Sequence, residues 1–244
     1  MRKAAFFLLT TFFAAGPALA QVDCNLGIEP IDRKAESRMS PTDFIRDVTR
    51  NEAIFAKAFS GFAYKLEVDL KTLDDDKVDG EFHEITSITY DANGGGRRIV
   101  KVGDTVDTLS RVSLANRDID ALRDAFSITQ GVLADRDVVY SGRQKIDDFN
   151  ASVFDILPRD SAGQPSSKTF TGRVWVRVRD SAIVRSCGRV AGGPFGPMRY
   201  LVQRAKVADK YWFPSTINAD ENVRGNGGDV HVRVDVKYTD YVAR

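Results

Sequence analysis

The sequence predicts a mainly β protein of the α+β class, built as a single curved antiparallel sheet forming an unclosed β-barrel with two or three helices packed on its concave face. Three observations predict it. About ten segments alternate apolar and polar residues with a period of two, only two stretches carry helical periodicity, and each strand keeps one wet face. A wet face marks antiparallel strands, since parallel ones are covered on both sides. So many strands expose more apolar surface than two helices can cover on a flat sheet, and curvature resolves the mismatch.

The first segment is not part of that fold. Met1, Arg2 and Lys3 make a basic start, Ala4 to Ala15 is apolar, Gly16 and Pro17 break the run, and Ala18-Leu19-Ala20 supplies small residues for signal peptidase. Residues 1–20 are therefore expected to be a cleaved signal peptide, too short to span a bilayer, leaving one domain over 21–244. Its loss removes two basic residues and no acid, taking the net charge from +1 to −1.

Ser40 suits an N-cap, Pro41 the first helical position and Asp43 the positive end of a helix. Phe44, Ile45, Val48, Ile54, Phe55 and Ala58 then recur at helical spacing as far as Phe59, and Gly61 ends the run. From there the period becomes two: Phe62, Tyr64, Leu66, Val68 and Leu70 alternate with Ala63, Lys65, Glu67 and Asp69. Asp74 to Asp76 reads as a turn, 81–91 and 97–102 as a strand pair around the Asn93-Gly94-Gly95-Gly96 hairpin, and 116–133 as a second helix capped by Asn116. The remainder reads as strands at about 137–145, 149–157, 170–179, 181–190, 199–207, 211–218 and 229–238. Val174, Val176 and Val178 oppose Arg173, Trp175, Arg177 and Arg179, and Val230 to Val236 oppose His231 to Lys237.

Composition excludes several functions. With 35 Lys and Arg against 34 Asp and Glu there is no basic surplus for nucleic acid, and with only two Cys and two His multi-ligand zinc sites of the Cys/His type are almost excluded. No metal and no cofactor is expected. His231 and His83 both read as surface residues on wet strand faces, and no nucleophile-elbow pattern accompanies them. Asp74, Asp75, Asp76 and Asp79 lack the ligand spacing of a calcium loop. In an exported, oxidising setting Cys24 is expected to pair with Cys187, the alternative being two buried thiols. Trp175 among its arginines reads as a stacked surface residue or a docking patch, and Phe195 as the apolar tip of the loop 191–197.

The segments Phe170 to Val176, Ala182 to Gly188 and Tyr211-Trp212-Phe213-Pro214-Ser215, with Tyr140 to Arg143 running on to Phe154 and Pro158, resemble the C-terminal strands of bacterial lipoprotein-carrier-like envelope proteins of the LolA/LolB fold. The similarity extends over roughly 138–241. It implies an unclosed barrel with an apolar cavity for acyl chains, and a periplasmic or secreted location. The arginine that governs lipoprotein release in carriers of that family is assigned to no position here.

The function expected is therefore non-enzymatic: a cell-envelope protein binding an acyl chain, lipid or lipoprotein in the concavity of a half-barrel, with transient contacts to the envelope membrane or its proteins. Phe62, Tyr64, Leu66, Val68, Val174, Val176, Val178 and Phe195 are the expected lining. The alternatives are a protein-interaction or sensor module of the same fold without a ligand, and a hydrolase, which would need a buried His beside a nucleophile.

Overall fold

The structure is a computed structural model and describes residues 22–25, 28–91, 96–124, 128, 133, 136–159, 170–190 and 198–244. The expected signal peptide and Phe195 lie outside the described residues, as does much of the second half of the predicted 116–133 helix.

Helix α1 spans Pro41–Phe59 and α2 spans Asn116–Asp124. The strands are β1 Phe62–Asp74, β2 Lys77–Tyr90, β3 Arg97–Lys101, β4 Val106–Asp107, β5 Arg136–Ile146, β6 Phe149–Pro158, β7 Phe170–Arg177, β8 Ile183–Val190, β9 Arg199–Val207, β10 Tyr211–Gly225 and β11 Gly228–Ala243. All eleven belong to one antiparallel sheet in the order β3-β2-β1-β11-β10-β9-β8-β7-β6-β5, with the short β4 added beside β2. The sheet does not close, because β3 and β5 are its free ends. Along the main path of the sheet the one non-sequential neighbour, β11 beside β1, carries the C-terminal strand back along the first strand over a register from Phe62–Ala243 to Leu73–His231.

Local chemistry accounts for the boundaries. The Ser40 hydroxyl accepts the Asp43 amide at 3.1 Å, capping α1 where Pro41 needs no donor of its own. Asp75 and Asp76 both adopt positive φ, the geometry of the tight turn between β1 and β2. The expected cap of α2 shifts by one residue: the helix begins at Asn116, and the Asp118 carboxylate accepts the Ala115 amide at 2.9 Å.

The buried residues form three clusters. Two lie on the face covered by α1, one centred on β1, β10 and β11 and the other on β6 and β7. A third, around Ile146, Val153, Trp175, Val184 and Leu201, lies on the opposite face beneath Val22, Cys24, Ile28 and Ile31. The described residues 22–25 and 28–32 thus form a strap over that second face. Cys24 and Cys187 are bonded as expected from the sequence, tying the strap to β8. Arg185 donates to the Cys24 carbonyl at 3.0 Å, and Asp32 and Arg143 exchange backbone hydrogen bonds at 2.7 and 3.0 Å along the free edge of β5. The chain then rounds this edge into α1, so the β5 edge is covered where it would otherwise offer unpaired backbone groups.

Trp175 requires a correction. Its expected place on a solvated arginine face is wrong, since it is fully buried under the strap and its Nε1 donates to Gln144 Oε1 at 2.5 Å. Arg173 and Arg185 do approach the ring, at 6.0 and 5.6 Å from its centroid. Alternation gave the right face, but the strap that covers it has no strand or helix period of its own to announce it. Ile54 is corrected likewise: it is 56% exposed, and Glu52 occupies the buried stripe.

Candidate functional site

The helix-covered face is where the sequence placed its apolar lining. The buried residues of α1 are Phe44, Val48, Glu52, Phe55 and Phe59, a spacing of three to four that puts all five on one side. Phe44 and Val48 pack with Phe154, Ile156, Val174, Val176 and Ile183, and the Phe44 and Phe154 rings lie 4.4 Å apart. Phe55 and Phe59 pack with Phe62, Tyr64 and Phe213, whose ring they meet edge-on at 5.4 and 5.1 Å. Leu66, Val68 and the Val230 to Val236 row of β11 extend this second group along the sheet.

The structure therefore places Phe62, Tyr64, Leu66 and Val68 together in one cluster and Val174 and Val176 in another, with α1 spanning both. Val178 belongs to neither. It follows the last residue of β7, where the alternation ends, and lines a cleft at the rim of the sheet.

Within this apolar interface sits an ion pair that sequence reasoning missed. Arg204 of β9 donates Nη1 and Nη2 to the two carboxylate oxygens of Glu52 at 2.7 and 2.8 Å, with side-chain exposures of only 2% and 6%. Its guanidinium also stands 4.7 Å over the Phe55 ring. The one signal in the sequence was a glutamate interrupting an otherwise apolar helical stripe. Beside the pair lies a small cavity of about 180 Å³ bordered by Asn51, Ile54, Asp180, Tyr211 and Trp212. Asn51 Nδ2 closes one side by donating to the Asp180 and Ser181 carbonyls at 2.8 and 3.0 Å.

The tyrosines at the α1 end are held neutral. Burial, followed by the neighbouring Tyr90, pushes the Tyr64 hydroxyl far above its usual range, and burial does the same to Tyr241, whose hydroxyl donates to the Pro214 carbonyl at 2.7 Å. Tyr241 serves as a hydrogen-bond donor in this apolar wall.

The histidines lie elsewhere. His231 bonds the Asp220 carboxylate, which also accepts from Arg233 at 3.0 Å, and His83 stands 3.9 Å from Asp69. Both are on the wet face of their strands. Among the described residues no group of three His, Cys, Asp or Glu is placed to hold a metal. Of the acidic turn, Asp79 is engaged by Arg111 and Thr72 at 2.8 and 2.5 Å, bonds that hold its carboxyl below the usual range.

No protein-family model matches the chain, and no curated protein is a significant match. Solved structures do match in chain path. A domain described as an outer membrane lipoprotein-sorting protein, from Vibrio parahaemolyticus, is 13% identical with a TM-score of 0.45, over 82% of this chain and 93% of that one. A DUF1329 family protein from Desulfovibrio piger is 14% identical with a TM-score of 0.41, over 81% and 93%. The third, a LolA superfamily protein from Nitrosomonas europaea, is 14% identical with a TM-score of 0.35, over 80% and 93%. The chain is similar to proteins of the LolA/LolB-like fold. At these identities the likeness is one of fold alone. What the open sheet of this chain does has to come from its own side chains, among them the Glu52–Arg204 pair and the rim cleft, which the sequence pattern left unseen.

Proposed function

We propose that this chain, exported with removal of residues 1–20, is a non-enzymatic cell-envelope protein that binds the acyl chain of a lipid or lipoprotein along the face now covered by α1. One observation carries the reading: α1, which packs over both clusters of this apolar face beside Ile119 of α2, Ile128 and Leu133, has a buried ion pair in its interface. A charged pair inside an apolar contact recovers little beyond its own desolvation, so α1 is held less firmly than an all-apolar helix of that length would be. An acyl chain entering beside Phe44 and Val48 would gain roughly 0.8 kcal/mol per buried methylene. Phe62, Tyr64, Leu66, Val68, Val174 and Val176 are the proposed wall of that site. The Cys24–Cys187 disulfide suits the oxidising envelope.

The test is a titration of the processed, delipidated protein with saturated fatty acids of increasing length, read as thermal shift. The melting temperature should rise further with each longer chain until the face is filled. No rise at any length ends the proposal.

A second reading, an interaction or sensor module without a ligand, is favoured by one observation of its own. Phe44 and Val48 are fully buried and Phe55 is 8% exposed, so the helix already fills this face as a core would. A flat chain-length series would select this reading.

A further inference from the structure

We propose that a cleft at the rim of the sheet binds a phosphate group, either as free phosphate or as the headgroup of an anionic phospholipid. The cleft has a volume of about 580 Å³, and its walls include Arg38, Arg143, Arg177 and Arg179, with Asp148 as the one carboxylate and Phe149 as an apolar side. Three parts of the chain bring these arginines together: the turn before α1 carries Arg38, β5 carries Arg143, and the end of β7 and the residues after it carry Arg177 and Arg179.

Arg177 is already satisfied. The Asp180 carboxylate accepts its Nε and Nη2 at 3.0 and 2.7 Å, and its guanidinium lies 5.2 Å from the centre of the Trp212 ring. Among the described residues, none of Arg38, Arg143 and Arg179 has a carboxylate within ion-pair distance, Asp148 included. Arg143 donates one Nη2 hydrogen bond to the Glu36 carbonyl at 3.0 Å, while its Nε is buried and has no partner among the described residues. A buried guanidinium N–H without an acceptor is costly, and the side chain that carries it is one of those lining the cleft.

The chemistry of the acceptor follows from the count of donors. Three guanidinium groups around one concavity, offset by a single carboxylate, call for an anion whose charged oxygens can be shared among forks approaching from different sides. The two oxygens of a fatty-acid carboxylate lie in one plane with their carbon, whereas the non-bridging oxygens of a phosphate, two in a diester and more in the free anion, are set tetrahedrally and accept from planar guanidinium forks in different planes. Phe149 leaves room for the apolar side of a phosphate diester. This site is separate from the helix-covered face and does not depend on an acyl chain entering there.

The test uses the processed protein and its Arg38→Ala/Arg179→Ala variant, both arginines being exposed, with Arg98→Ala/Arg224→Ala as a control of equal charge at two other exposed positions. Inorganic phosphate is titrated calorimetrically at low salt, and in a parallel arm the proteins are sedimented with vesicles of phosphatidylglycerol or of phosphatidylcholine. Phosphate should bind saturably, with at least about tenfold weaker affinity in the Arg38/Arg179 variant and no change in the control, since charge-assisted hydrogen bonds are lost. Phosphatidylglycerol binding lost in the same variant and displaced by phosphate identifies the headgroup source; saturable phosphate binding without vesicle binding identifies the free anion. Absence of saturable binding in both arms, or equal losses in variant and control, overturns the site. The fatty-acid series on the Arg38/Arg179 variant should match that of the unsubstituted protein, so a failure there counts against the acyl-chain reading alone.

Discussion

Glu52 and Arg204 meet as a two-pronged ion pair inside the apolar contact between α1 and β9, 152 residues apart in sequence and both essentially out of solvent. Removing one partner leaves the other charge buried without its two-pronged counter-ion, which costs about 3–5 kcal/mol, whereas replacing both with apolar groups of similar volume is neutral or stabilising. Glu52→Gln and Arg204→Met should each lower the urea midpoint sharply, while Glu52→Leu/Arg204→Met should restore or exceed the starting value. If the double variant is as unstable as the singles, the intact pair itself adds stability to the α1 contact, and α1 is not held less firmly on its account.

Asp155 predicts an acid-sensitive step. Burial raises its pKa, but hydrogen bonds from Arg173 at 2.7 and 3.2 Å and from Ser141 more than offset this, so the carboxyl titrates below the usual range. A group depressed in the folded state adds stability that is complete above its unfolded pKa of about 3.9 and disappears as pH falls through the folded value. Asp79, held down by Arg111 and Thr72, adds in the same direction. Denaturation midpoints measured from pH 6 to pH 2 should fall below about pH 4, and Asp155→Asn should flatten part of that fall while lowering stability at pH 6. An unchanged pH profile in Asp155→Asn would show that its ion pair is not coupled to folding.

The strap supplies a prediction with an optical readout. The Cys24–Cys187 bond closes a loop of 163 residues, for which chain entropy gives on the order of 5 kcal/mol as an upper figure. Cys24→Ala/Cys187→Ala should lower the melting temperature and, by loosening the cover of the fully buried Trp175, shift tryptophan emission to the red. Gly142→Ala should act on the other end of the strap: Gly142 sits at φ +134°, and a Cβ there would stand 2.5 Å from the Asp32 carbonyl oxygen. Native-like emission in both variants would mean that the strap contributes nothing to burying Trp175.

The strands were the legible part of this molecule because their signal is repeated. Val230, Val232, Val234 and Val236 against His231, Arg233, Asp235 and Lys237 is a period-two pattern that only a one-sided strand explains, and the structure buries the valines on the helix-covered face. The strap was illegible for the opposite reason: Val22, Ile28 and Ile31 follow no period, and their burial depends on contacts with β6, β7 and β8 far along the chain. The two-residue β4 is too short to carry any pattern. In the candidate site, alternation identified Phe62 to Val68 as an apolar row, but whether that row faces a ligand or a helix is decided by α1, whose own stripe includes the unexpected Glu52. The rim cleft was invisible because its arginines come from three separate segments.

Phe44 offers the most direct test of whether the helix-covered face is a core or a binding site. It is fully buried against Phe154 in the cluster that holds Val174 and Val176. Phe44→Ala removes a ring and leaves a void, costing about 3–5 kcal/mol. An apolar void of that kind stays dry and accepts an apolar guest. If an acyl chain enters beside α1, saturating fatty acid should raise the melting temperature of Phe44→Ala more than that of the unsubstituted protein, because the guest also fills the space the ring left. Leu66→Ala, equally buried but in the other cluster, loses about as much stability and should show no extra gain. Adding Val176→Trp to Phe44→Ala should refill the void from the sheet side and abolish the gain; on its own, Val176→Trp overpacks a full site and should cost about 1–3 kcal/mol. Equal ligand gains in Phe44→Ala, Leu66→Ala and the unsubstituted protein would make this face an ordinary core, and the module without a ligand would then stand.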